Sequence, residues 1–146
     1  VARIVVGVDG SPPSLGALRW ALDEAALRGA AVDAVHVWHY PIGSYVPGMV
    51  PAPAFVGEDL ERDARAVLDH AVDSVLPDHP GAAALGRRVV EGAAVEELVR
   101  AAEGADLLVV GSRGHGGFTG LLLGSVAQQV AQHAPCPVVI VRRPGR

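Results

Sequence analysis

The sequence predicts an α/β fold: a five-stranded parallel sheet with helices on both faces. Three observations carry this. Short apolar stretches alternate strictly with longer segments of helical spacing, in the order β-α-β-loop-α-β-α-β-α-β. The strands are apolar at nearly every position, as strands covered on both faces are. The fourth strand runs into a glycine-rich loop that feeds a helix, an arrangement suited to holding an anion.

Each element has its own local cause. Residues 4–8 form a β-branched apolar run, the first strand. It stops at the turn cluster Asp9-Gly10-Ser11-Pro12-Pro13. Ser11 or Ser14 is expected to cap the next helix, in which Leu15, Leu18, Leu22 and Ala25 or Ala26 recur at helical spacing. Gly29 suits its C-terminal stop. Residues 32–38 are the second strand, polar only at Asp33 and His36. His36 reads as a histidine satisfied beside the core in preference to a ligand. Residues 39–57 hold four prolines and three glycines with no period. They are expected to form a long, partly ordered loop, with Tyr40, Tyr45, Met49 and Phe55 supplying apolar contacts. Residues 58–76 are the strongest helix, with Leu60, Ala64, Val67, Leu68, Ala71 and Val75 on one stripe. A short strand at 87–91, a helix at 93–102 and a strand at 107–110 follow. A helix at 125–133 and a strand at 137–141 close the chain.

Composition narrows the class. At 146 residues and half hydrophobic, the chain is expected to be one globular domain over residues 1–146. Aromatics are only 4%, so the core must be built from Ala, Val and Leu. A formal charge of −4 gives no general attraction to nucleic acid or acidic lipid, and neither partner is expected. Arg87-Arg88 and the tail arginines read as solvated strand ends. The single cysteine, Cys136, excludes an internal disulfide and reads as a structural thiol. No run reaches the roughly 18 apolar residues of a membrane span. No signal peptide is visible after Val1, so a soluble cytoplasmic protein is expected.

The glycine loop carries the functional signal. A P-loop needs a lysine after its last glycine, and the chain has no lysine. The dinucleotide fingerprint, started at Gly114, fails at Thr119, where its third small residue belongs. What fits is Gly111, two residues, Gly114, nine residues, then Gly124-Ser125. This spacing resembles the ATP-binding motif of the universal stress protein family. The likeness runs from the Val-Gly-Val-Asp-Gly-Ser opening that contains Asp9 to the Cys-Pro-Val-Val-Ile-Val close.

The resemblance implies more than periodicity can. It implies strand order 3-2-1-4-5, a Rossmann-like sheet of the adenine nucleotide alpha hydrolase type. It implies that Asp9, with Ser11 beside it, meets the ribose, and that the backbone of Val37 holds the adenine. Gly111, Gly114, Gly124 and Ser125 match the phosphate positions, and Ser112, Arg113 and His115 lie where they can add contacts. The implied ligand is ATP, with AMP or ADP as alternatives and Mg as an accompanying ion. No catalytic residue or metal ligand is assigned. A homodimer through the last strand, Val138, Val139, Ile140 and Val141, is also implied. The expected role is a nucleotide-dependent stress or signalling module. The alternative is a slow ATPase or phosphotransferase in the same pocket, turning over far below the enzyme median of about 10 per second. A flavodoxin-like FMN protein is disfavoured, because its phosphate loop would follow the first strand, where Asp-Gly-Ser-Pro-Pro stands.

Overall fold

The computed structural model describes residues 2–39, 55–82, 85–113 and 123–142. Its sheet has five strands, β1 (Arg3–Gly7), β2 (Ala31–Trp38), β3 (Gly86–Glu91), β4 (Leu107–Gly111) and β5 (Val138–Val141). Their spatial order is β3-β2-β1-β4-β5, and every pair is parallel. This is the order 3-2-1-4-5 that the family resemblance implied. Four helices connect the strands: α1 (Pro12–Arg28), α2 (Phe55–Val75), α3 (Ala94–Ala101) and α4 (Ser125–His133).

The period of two along each strand divides the core into two layers. Ile4, Val6, Leu107 and Val109 face one layer with Leu18 and Leu22 of α1 and Leu68 and Val72 of α2. Val5, Val35, Leu108 and Val110 face the other, with Leu98 of α3 and Val130 of α4. Ile4, Val5 and Val6 are fully buried, because β1 is paired on both edges and covered on both faces. On α2 the expected stripe is right at Ala64, Leu68, Ala71 and Val75, but Val67 is 37% exposed and Val72 takes the core position instead.

Local signals set most boundaries. Ser11 is the N-cap of α1: its backbone is extended and its hydroxyl accepts from the Ser14 amide. Gly29 ends α1 with φ 66°, the left-handed conformation glycine adopts without steric cost. β1 opens one residue earlier than expected, at Arg3, whose amide donates to the Asp106 carboxylate at 2.8 Å. α2 opens at Phe55, three residues before the predicted start at 58. Gly57 had argued for loop there, but a single glycine costs a helix only about 1 kcal/mol. The rest of the proline-rich stretch, residues 40–54, lies outside the described residues.

The two polar exceptions in β2 are both accounted for. Asp33 pairs with Arg3 across the β1–β2 boundary at 3.0 Å. His36 bonds the Val8 carbonyl through Nδ1 at 2.7 Å. Arg87, in β3, bridges Asp69 and Asp73 of α2 at 2.9 and 3.0 Å. It serves sheet–helix packing.

His79, just after α2, joins two helices. Its Nδ1 lies 3.0 Å from the Val75 carbonyl and its Nε2 lies 2.9 Å from the Asp23 carboxylate of α1. Both partners accept, so both ring nitrogens act as donors in the charged form. The bond to Val75 is the largest influence and raises its pKa above the ordinary value; burial opposes it, and the bond to Asp23 and the charges of Asp23 and Asp78 add to the rise. A raised folded-state value means that this stability is present in full below about pH 6.5 and is lost as pH rises through the raised value. Thermal melts between about pH 5 and 9 should show this loss, and Asp23→Ala should make it smaller without removing it, because the Val75 bond remains.

Candidate functional site

At the carboxyl ends of β1 and β4 the chain departs in different directions, and a cleft of about 450 Å³ opens between them. This is the switch point of the sheet, where the neighbours of β1 come from opposite directions in the chain. A slightly larger hollow, about 510 Å³, lies at the other end of the sheet, walled by Leu22, Ala25 and Leu85. Among the described residues no strand carboxyl end or helix N-terminus converges there. The first cleft is the candidate site.

Asp9 lines it at the end of β1. Its Oδ1 accepts from the Ser11 amide at 2.9 Å and from the Ser11 hydroxyl. Its own amide donates to the Ser14 hydroxyl at 3.1 Å. Asp9 is therefore held by a turn, and the turn uses two of the roughly four acceptor positions of a carboxylate.

The second wall is the start of α4. Gly124 is its N-cap, with φ −72° and ψ 168°, and as a glycine it offers no capping side chain. The Gly124 amide donates to the Ser112 carbonyl at 2.7 Å, and the Gly124 carbonyl accepts from Gln128 at 3.1 Å. The amides that the helix leaves without intrahelical partners are then those of Ser125, Val126 and Ala127. All three residues line the cleft. The first turn carries no acidic residue to occupy those donors. An uncapped helix start of this kind attracts anions through its amides and dipole.

The third wall is the end of β2. Parallel pairing makes alternate residues face alternate neighbours. Val35 faces β1, where its carbonyl receives the Val8 amide at 2.9 Å. Trp38 faces β3, where its carbonyl receives Gly92 at 2.8 Å. Val37 therefore turns its N–H and C=O toward the side that β1 has left. By that parity neither group belongs to the β2–β3 ladder, and among the described residues neither makes a backbone bond outside the ladders. Leu98 and Ala94 of α3 complete an apolar side.

The family model for universal stress proteins matches residues 1–142. The chain belongs to the universal stress protein family. A universal stress protein of Mycolicibacterium smegmatis is 40% identical over 139 residues, covering 95% of this chain and 45% of that protein. The chain thus spans about half the length of the curated relatives it matches. Among solved structures, a universal stress protein in complex with cAMP aligns at 32% identity and TM-score 0.71, over 96% of both chains. The universal stress protein of Archaeoglobus fulgidus in complex with dAMP aligns at 27% identity and TM-score 0.68, over 97% of this chain and 98% of that one.

Of the residues singled out in this universal stress protein's sequence, Asp9, Val37, Gly111, Arg113, Gly124 and Ser125 line one cleft. Ser11 and Ser112 do not. Ser11 is buried behind Asp9 as its turn partner and as the cap of α1. Ser112 is a tie: its amide donates to Val141 at 2.9 Å and its carbonyl takes Gly124. Gly114 and His115 lie outside the described residues. Sequence reasoning missed Leu98 and Ala94, whose spacing reads simply as core. It also missed Val126 and Ala127, which the first-turn rule for helices would have found. Among the described residues no cluster of three or more His, Cys, Asp or Glu side chains could hold a metal ion.

Gly111 has a packing cause of its own. A Cβ there would stand 2.8 Å from the carbonyl carbon and oxygen of Pro13. Backbone cannot rotate out of the way as a side chain can. Gly111→Ala should therefore cost about 1–3 kcal/mol by overpacking, read as a lowered melting temperature before any ligand is added.

Proposed function

We propose that the cleft binds an adenine nucleotide, ATP or its AMP and ADP relatives, and that the protein works as a nucleotide-dependent stress or signalling module. One observation carries this: the α4 amides, the Asp9 carboxylate and the Val37 peptide edge meet in one cleft, on three different elements. Each suits a different part of a nucleotide. The α4 start suits phosphate. The carboxylate suits ribose hydroxyls, which donate. The Val37 edge offers a donor beside an acceptor. Adenine presents the complement, a ring nitrogen that accepts beside an amino group that donates. Guanine presents the reverse, so adenine should be preferred. The cAMP and dAMP complexes among the related structures point the same way. A Mg ion would accompany a triphosphate through its own phosphate oxygens and water.

Isothermal titration with ATP, AMP and GTP tests the reading. The parent should bind ATP and AMP in preference to GTP, and equal affinity for GTP would remove Val37 from its role. Ser125→Asp places a carboxylate at the first position of α4, where the dipole favours it by about 0.3–1 kcal/mol. It should keep or raise the melting temperature while weakening nucleotide binding by about tenfold or more. A Ser125→Asp variant that binds as the parent does would show that the phosphate site is elsewhere.

A homodimer through β5 belongs to the same reading. β5 is an edge strand, and Val138, Val139, Ile140 and Val141 are each only half-buried. An apolar edge tends to be covered, and a two-fold pairing of like edges closes on itself. Sedimentation at micromolar concentration should give a dimer; a monomer would remove this part of the proposal.

A further inference from the structure

One polar side chain of the cleft has no task in a nucleotide reading. His36 precedes Val37 in β2 and bonds the Val8 carbonyl through Nδ1 at 2.7 Å. A carbonyl only accepts, so Nδ1 carries the proton. The position of this bond matters. The β1–β2 ladder runs in register as far as Gly7 opposite Val35, with a last bond from the Val8 amide to the Val35 carbonyl at 2.9 Å. In a parallel pair the next bond of that ladder would run from the Val37 amide to the Val8 carbonyl. Among the described residues that bond is not made. The Val8 oxygen receives the imidazole instead.

We propose that His36 ends the β1–β2 ladder one bond early: its imidazole takes the Val8 carbonyl in place of the Val37 amide, and so keeps the Val37 N–H open to a ligand. His36 is then a positioning residue. It touches the strand end and acts through Val37. The substitution solves a problem that any strand-end site meets. A buried carbonyl seeks a donor, and the nearest backbone donor is the one the ligand needs. A side-chain donor from the same strand satisfies the carbonyl and spares the amide. Val8 is 3% exposed, so water does not readily take this place. The benefit to a ligand rests on the nucleotide reading of the cleft; the early end of the ladder does not.

Two measurements on the parent, His36→Phe and His36→Asn separate these. Phe keeps a planar ring and lacks the donor. Asn can place an amide N–H near where Nδ1 stands. The first measurement is hydrogen exchange at the Val37 amide without nucleotide, against the Val35 amide as a ladder reference. In the parent and in His36→Asn, Val37 should exchange much faster than Val35. In His36→Phe the ladder should close and Val37 exchange should slow by about tenfold or more. The second is AMP titration: His36→Phe should lose about tenfold in affinity, and His36→Asn should stay within about threefold of the parent. A Val37 amide already as protected as Val35 in the parent overturns the proposal. So does a His36→Phe variant with parental exchange and parental affinity, or an Asn variant that behaves as Phe does. A parent that binds no AMP removes the nucleotide reading, and Val37 exchange alone then decides the role of His36.

Discussion

Burial of β1 is the constraint from which the rest of the molecule follows. Its three central residues are fully buried, with β2 on one edge, β4 on the other and helices on both faces. Every polar group of such a strand must be spent in a ladder. Its side chains must be apolar on both faces, and Ile4, Val5 and Val6 are. A strand in that position has no room for chemistry along its length. The candidate site lies past its end, at Asp9, where β1 leaves the sheet while β2 still runs on. The gap between a strand that has stopped and a neighbour that has not is the cleft.

The two ends of the sheet are finished differently. At the amino end, polar groups find one another. Arg3 reaches Asp33, the Glu103 carbonyl and, through its amide, Asp106. His79 joins Asp23 to the last turn of α2. Part-exposed pairs of this kind contribute little net energy, and their use lies in register and in how helices seat on the sheet. At the carboxyl end, among the described residues, it is backbone donors that are left over. α4 starts on a glycine that offers no cap, and Val37 faces a neighbour that has gone. Leaving donors unmade in a protected place costs stability, and a fold tolerates that where something else supplies the acceptor.

Much of this was legible in the sequence, because it rests on patterns of two and of three to four residues. The alternation of elements and the stop at Gly29 come from local rules and are where the rules put them; of the two caps those rules allowed, Ser11 and Ser14, it is Ser11 that caps α1. The strand order is different in kind. It came from resemblance to a family, since periodicity says which face of a strand is buried and nothing about which strand lies beside it. The site was half legible. Asp9, Gly124 and Ser125 stand at strand and helix ends, and ends are marked by turn chemistry. Ser11 and Ser112 stand at the same ends, and only coordinates show that their groups are already committed to Asp9, Val141 and Gly124. Leu98 was invisible as a cleft residue because the spacing that aims it at the core also aims it at the cleft.

The glycine spacing itself looks different once its ends are placed. It reads in sequence as a run of positions that let backbone approach phosphate, yet two of its glycines have distinct physical causes. Gly111 is small because Pro13, at the start of α1, comes within 2.8 Å of where its Cβ would be. It seats α1 against the end of β4. Gly124 adopts an ordinary extended backbone, so its glycine is not required by φ. Its effect is to offer no capping side chain, which leaves the first-turn amides of α4 to the cleft. The ends of the segment that joins them are tied by a bond from the Gly124 N–H to the Ser112 carbonyl at 2.7 Å. Closing a loop costs entropy that grows only slowly with its length. That bond holds the start of α4 near the end of β4. The spacing is thus a statement about where a helix begins relative to a strand, and the proposed anion site rests on that placement.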